Sequence, residues 1–187
     1  MMPTISKITE TVWKLSVDSN VYYIDGPEKI VIDTGPRSQG NMLETFLAKV
    51  VPLDKVERVF LTHLHYDHIG NYDKFPNATL HASELEIRSL FKDAKGTILD
   101  SFMAGKFKVD LKPFPVLDWL KVIPTPGHTV GSVCFFMPEE GILFSGDTLF
   151  ANTHGRTDLP TSVPQKMQES LINLIQYNHK ILCPGHD

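Results

Sequence analysis

The alternation of apolar and polar positions divides the chain into strand-like and helix-like stretches. Residues 8–17 mix apolar and polar side chains, 20–25 hold Val21, Tyr22, Tyr23 and Ile24, and 29–33 are β-rich, so the first part reads as strands. Gly26-Pro27, between the last two, is a hairpin turn signal. After Gly35-Pro36, the positions of Met42, Leu43, Phe46, Leu47 and Val50 predict a helix over 39–50. Short apolar strands are expected over 56–61 and 78–81, with Ser83 as the N-cap of a helix that runs through Phe91. Residues 93–118, which include Pro113 and Pro115, fit no period and predict an irregular excursion, such as a lid or substrate-side loop. Three strands follow over 119–123, 131–137 and 141–145. A helix over 164–177 starts with proline in its first turn and aligns Met167, Leu171, Leu174 and Ile175 on one face; 180–183 is a last strand.

Two successive halves, each ending in a helix and a strand, predict a layered α/β sandwich. A faint internal echo agrees with this: Ile32-Asp33-Thr34-Gly35 ends one strand and Ser145-Gly146-Asp147-Thr148 ends another. No linker or composition break interrupts the 187 residues, so one domain over 1–187 is expected, large enough to bury a core. Hydrophobic residues make up 42% and charged residues 21%, an ordinary globular balance. A net charge of −4 with scattered Lys and Arg argues against a nucleic-acid surface. The first ten residues are polar and lack a signal-like apolar core, and no apolar run approaches the roughly 18 residues of a membrane span. Cys134 and Cys183 lie in strand-like stretches and are expected as reduced, buried thiols, with one disulfide between them as the alternative. A cytoplasmic protein with no membrane partner is the expectation.

The chemistry concentrates in Thr62-His63-Leu64-His65-Tyr66-Asp67-His68, directly after a strand. In extended chain, alternate residues project to one side, so His63, His65 and Asp67 can converge while His68 faces the same cavity from the bend. Four metal-competent side chains in six residues exceed what eight histidines in 187 residues scatter by chance. Imidazole nitrogen with some carboxylate oxygen is the donor mixture that zinc and similar ions favour. Three further stretches offer ligands, each beside a glycine near a strand end: Pro126-Gly127-His128-Thr129, Ser145-Gly146-Asp147-Thr148 and Pro184-Gly185-His186-Asp187.

This ordered set of motifs resembles the metallo-β-lactamase superfamily, from about residue 20 onward. The resemblance implies a four-layer αββα sandwich with two divalent ions, zinc foremost and iron or manganese as alternatives, at one edge of the sheets. It assigns His63, His65 and His128 to the first ion and Asp67, His68 and His186 to the second, with Asp147 bridging. It further implies hydrolysis by a bridging hydroxide, with Asp67 orienting the nucleophile as well as binding metal.

Within the superfamily, Thr125-Pro126-Gly127-His128-Thr129, Gly146-Asp147-Thr148-Leu149-Phe150 and Gly155-Arg156-Thr157-Asp158-Leu159-Pro160 resemble short hydrolases similar to glyoxalase II. A small thioester is then the expected substrate. Full-length glyoxalase II also carries a helical carboxy-terminal domain with most of the glutathione contacts, and these 187 residues contain no counterpart. The 155–160 stretch is also similar to the persulfide dioxygenases, which use one iron, and a lactonase is a further alternative. Flavodiiron oxidoreductases usually have Glu where this chain has His65. Tyr66 and Arg156 are candidate substrate contacts, the alternatives being space filling for Tyr66 and an ion pair with Asp158 for Arg156. Asp33 is expected to hydrogen-bond the ligands, while His81, His154 and His179 read as structural or exposed.

Overall fold

The computed structural model describes residues 4–187; residues 1–3, the start of the polar amino-terminal stretch, lie outside the described residues. Among the described residues, ten strands form two sheets. The first holds β1 (Thr4–Lys7), β2 (Val12–Ser16), β3 (Val21–Asp25), β4 (Lys29–Ile32), β5 (Arg58–Phe60) and β6 (Thr79–His81), in that order. Hairpin connections make β1 to β4 antiparallel, and crossovers make β4, β5 and β6 parallel. The second sheet runs β10 (Ile181–Pro184), β9 (Ile142–Gly146), β8 (Val133–Met137), β7 (Lys121–Pro124), with only the β10–β9 pair parallel.

Side-chain alternation decides which layer each residue joins. On β3 and β4, Tyr22, Ile24, Ile30 and Ile32 face the second sheet, where they meet Val133, Phe135, Ile142 and Phe144. Their neighbours Val21, Tyr23 and Val31 face the other way, onto Leu43, Leu47 and Ile98. These come from or beside α1 (Gly40–Phe46) and α4 (Ala94–Ile98), in a helical layer that also includes α3 (Glu84–Lys92) and α5 (Ser101–Lys106). Across the molecule, Cys134, Phe136 and Leu143 point away from the interface to Leu174 of α6 (Pro164–Ile175). The result is the expected αββα sandwich. Phe60, Phe135 and Phe144 are fully buried, and truncating one to Ala costs about 3–5 kcal/mol.

Several expectations shift in detail. The stretch 8–17 is not one strand, because the chain turns over 8–11 and separates β1 from β2. The helix expected over 39–50 is regular only for Gly40–Phe46; its last turn tightens to a 3₁₀ turn, Leu47–Lys49. The 93–118 excursion contains α4 and α5, each started by an aspartate whose Oδ1 accepts a backbone N–H: Asp93 from Gly96 at 3.0 Å and Asp100 from Met103 at 2.7 Å. The later part, 107–120, is the irregular piece. On α6, Met167 and Leu174 are buried but Ile175 is exposed, since the inward stripe continues through Ser170 instead. Both cysteines are free and buried, and no described helix is long and apolar enough to cross a membrane.

Candidate metal centre

The seven ligand candidates all follow the carboxyl ends of strands. β5 leads to His63–His68, β7 to His128, β9 to Asp147 and β10 to His186, so four loops meet at one sandwich edge. His63, His65, His68 and His128 are buried, while Asp67, Asp147 and His186 retain 16%, 10% and 30% side-chain exposure. That gradient leaves one side of the cluster open to solvent.

The local path differs from the extended run expected for 63–67. His65 has β geometry and caps α2 (Tyr66–Ile69), a single helical turn that carries Asp67 and His68. In a strand, neighbours 67 and 68 would point to opposite faces; on a helix they diverge by only about 100°, so both reach the site. His63 and His65 come from the extended part, and their rings lie 4.5 Å apart by centroid.

Three groups place one ligand atom per residue within 4.8 Å of each other: His63/His65/His128, His63/His68/Asp147 and Asp67/His68/His186. Each could hold a metal ion. Asp147 lies between them, with Oδ1 3.3 Å from His68 Nε2 and Oδ2 3.5 Å from His128 Nε2 and 3.4 Å from His186 Nε2. Nδ1 of His65 is 2.9 Å from Nε2 of His128. His63 Nε2 and Asp147 Oδ1 are buried without a hydrogen-bond partner. Such orphaned atoms cost about 1–3 kcal/mol each unless a ligand takes them up, and the imidazole–carboxylate donor set suits a borderline divalent ion. The residues present therefore fit a metal.

The outward nitrogens of four rings are anchored. His68 Nδ1 bonds Asp33 Oδ2 at 2.8 Å, His128 Nδ1 bonds the Arg156 carbonyl at 2.8 Å, and His186 Nδ1 bonds the Asp18 carbonyl at 2.7 Å. Thr62 Oγ1 donates to Asp33 Oδ2 at 2.8 Å, which leaves it free to accept from His63 Nδ1 at 3.0 Å. In the neutral form of each ring these contacts keep the proton on Nδ1 and leave the lone pair on Nε2, the arrangement a metal ligand needs.

Charge is partitioned within the cluster. Burial, reinforced by the neighbouring imidazoles, lowers His63 far below its ordinary value and His65 to about 3; burial also lowers His128. Burial works against charge on His68 and His186 too, but Asp147 and Asp33 hold His68 high, and hydrogen bonds to Asp147 and Asp67 push His186 up to about 10. Burial opposes ionisation of Asp147 and Asp67, yet His68 and His186 hold both carboxylates below their ordinary range. One half of the cluster is thus neutral imidazole and the other half is paired charge.

A cleft of about 350 Å³ exposes the cluster, lined by Tyr66, Leu99, Phe150, Arg156 and Leu159 as well as ligand candidates. Tyr66, 43% exposed, also lines a neighbouring hollow of about 470 Å³ with Arg37, Tyr72, Phe102, Met103 and Lys106. A further hollow of about 690 Å³ beside Phe114 and Leu117 contains none of the ligand candidates. Arg156 forms a two-pronged ion pair with Asp158, Nε to Oδ1 at 2.7 Å, on the exposed cleft rim. His81 is structural: its Nδ1 bonds the Pro113 carbonyl. Glycine is required where loops crowd the centre, since a Cβ on Gly185 would sit 2.2 Å from Asp147 Oδ1. Sequence reasoning passed over Glu86, a fully buried carboxylate that contacts two ligand loops. It sits three residues after the N-cap Ser83, a spacing that reads as a local capping box and so conceals its longer reach.

An αββα sandwich with histidines and aspartates gathered at one sheet edge defines a class of metal-site proteins. A profile described as the metallo-beta-lactamase superfamily matches residues 16–186, and the chain belongs to that superfamily. It is 31% identical over 184 residues to a probable metallo-hydrolase of Methanocaldococcus jannaschii, covering 90% of this chain and 87% of the relative. It is 32% identical over 158 residues to a hydroxyacylglutathione hydrolase of Brucella ovis, covering 81% of this chain but only 51% of that protein. The solved structure of TTHA1623 in a di-iron-bound form matches with a TM-score of 0.71 at 26% identity, over 100% of this chain and 92% of that one.

Proposed function

We propose that the chain is a binuclear metal-dependent hydrolase that cleaves small thioesters. The observation that carries this reading is the position of Asp147, whose carboxylate lies within 3.5 Å of His128 from one proposed ligand set and within 3.4 Å of both His68 and His186 from the other. His63, His65 and His128 would hold one ion and Asp67, His68 and His186 the other, with Asp147 available to both; zinc is the first candidate and iron the second. A bound divalent pair supplies Lewis acidity, which lowers the pKa of water from ~15.7 to ~7 and polarises a carbonyl.

The residues of the chain supply the rest. Asp67, kept ionised by His186 and His68 against its burial, accepts a hydrogen bond from the attacking water and orients it. Tyr66 forms the wall between the metal cleft and the 470 Å³ hollow, which offers room for the acyl or thiol arm. Arg156 can exchange Asp158 for a substrate carboxylate with little loss, because an exposed ion pair contributes little. Apart from the proposed ligands, the named cleft residues able to donate a proton are Tyr66 and Arg156, neither of them an acid near neutral pH. A leaving group that departs unprotonated suits such a cleft, and a thiol with a pKa of ~8.5 does so far better than an amine. The similarity to the Brucella ovis hydroxyacylglutathione hydrolase supports the thioester, although the chain spans about half of that relative.

The test is elemental analysis of purified protein together with a panel of thioesters, lactones and phosphodiesters. Two ions per chain and turnover of small thioesters are expected, with activity abolished in His63→Ala and Asp147→Ala. Full activity in both variants overturns the assignment, and one iron with oxygen consumption points instead to a persulfide dioxygenase.

A further inference from the structure

We infer that Glu86 is a positioning residue that fastens the loop bearing His63 and His65 to the loop bearing His128, and so sets the geometry of one ion's three imidazoles. Its Oε2 accepts the Leu64 N–H at 3.0 Å, and Leu64 stands between His63 and His65. Its Oε1 accepts the Thr129 hydroxyl at 2.7 Å and the Gly131 N–H at 3.1 Å, and Thr129 directly follows His128. Glu86 is the one residue of α3 that is buried, and it is completely so.

In a local capping box the carboxylate would turn back to the Ser83 N–H. Here Ser83 accepts the Glu86 N–H at 3.2 Å and donates to the Gly131 carbonyl at 2.6 Å, which leaves the carboxylate free to span the two loops. Burying a carboxylate is costly, and three donors from two ligand loops are what hold this one. Replacement by glutamine keeps the shape but not the bonding. Each oxygen takes an N–H that cannot turn round, so the new amide NH₂ confronts either Leu64 or Gly131. One loop loses its anchor whichever way the amide lies.

The inference rests on the reading of the cluster as a metal centre. Its test is zinc and cobalt titration of the full chain, by chelator competition and by cobalt absorption. His63→Ala and His186→Ala identify the binding step that belongs to each half. Glu86→Gln is expected to weaken the step lost in His63→Ala by about tenfold to a hundredfold and to alter its cobalt spectrum. The step lost in His186→Ala should move less than about threefold, well below that range. Thr129→Val, which removes one donor, should shift the same step in the same direction by less. Unchanged binding and spectrum in Glu86→Gln, or equal weakening of both steps, overturns the inference. If Glu86→Gln does not fold, an unaltered first step in Thr129→Val overturns it. A parent chain that takes up neither ion sinks the metal-centre reading and this inference with it.

Discussion

Asp33 Oδ2 lies 2.8 Å from His68 Nδ1 and accepts the Thr62 hydroxyl at the same length, so one carboxylate oxygen steers His68 directly and His63 through Thr62. Its other oxygen takes the Thr62 N–H at 2.8 Å, which ties the start of the histidine loop to the end of β4. Asp33 does this from a left-handed backbone conformation, φ 57°, which aspartate tolerates better than most residues.

Removing that carboxylate should therefore act on metal binding rather than on substrate. Asp33→Ala leaves His68 Nδ1 and Thr62 Oγ1 without their acceptor, and metal affinity should fall about tenfold to a hundredfold. Chelator competition on the purified variant gives the number. Affinity within twofold of the parent would show that the imidazoles hold their orientation unaided.

The pH dependence of metal uptake should differ between the two halves. His63, His65 and His128 are depressed by burial, so they are neutral at pH 7 and hold no proton that an ion must displace. His68 and His186 are held charged by Asp147 and its neighbours, and an ion there must expel those protons. Affinity at the Asp67/His68/His186 group should rise by about tenfold per pH unit for each proton released, while the three-histidine group stays nearly flat above pH 6.5. Calorimetric titration in buffers of different ionisation heat counts the protons; equal release at both steps contradicts the partition.

The same partition sets the stability of the metal-free chain. The depressed imidazoles favour the neutral form on folding, so stability falls as pH drops below the unfolded value of ~6.5 toward the folded value of His65, about 3. His186 has the opposite sign: its contribution is complete below ~6.5 and disappears as pH rises through about 10. Denaturant midpoints of metal-free protein should thus decline at both ends of the pH scale. A midpoint rising steadily from pH 4 to pH 10 would refute the charge pattern.

The fold was legible wherever one face of an element is buried. Tyr22/Ile24 against Val21/Tyr23, and Phe135 against Cys134/Phe136, assign residues to layers by simple alternation. The helix starts at Ser83 and Pro164 were equally plain, because cap chemistry is local. What stayed hidden depended on partners far along the chain. Asp93 and Asp100 start short helices inside a stretch with no clear period, since two turns are too few to show one. The helical turn under Asp67 was masked by the alternating His-x-His-x-Asp spelling, which imitates a strand. Glu86 shows the limit best. Its contacts are 22, 43 and 45 residues away, and its local spacing suggests a different, nearer partner.

Tyr66 should govern substrate fit and leave metal binding alone. It belongs to both the metal cleft and the larger hollow beside it, and its ring is 43% exposed. Loss of the ring in Tyr66→Ala opens the wall between them, so KM for a thioester with a bulky arm should rise several-fold while kcat and metal content change little, the signature of lost uniform binding. Tyr66→Phe keeps the wall and should behave like the parent. If the phenylalanine variant loses kcat, the hydroxyl itself takes part in the reaction and the packing role is wrong.

Gly185 should not accept a side chain without disturbing the centre. A Cβ there would lie 2.2 Å from Asp147 Oδ1 and 2.9 Å from both the Gly146 carbonyl carbon and His68 Cε1. Two of those three atoms belong to ligand candidates, and the third is backbone that carries Asp147, so none can give way without moving the site. The Gly185 N–H also bonds the Gly146 carbonyl at 2.7 Å, and its own carbonyl accepts the Asn20 N–H at 2.7 Å, which holds the loop from both sides. Gly185→Ala should cost about 1–3 kcal/mol through overpacking and should displace the Asp147 carboxylate. The measurements are the denaturation midpoint and the number of ions per chain after dialysis. A variant with parental stability that still retains its full metal complement would mean that the loops around Asp147 yield more easily than their close approach suggests.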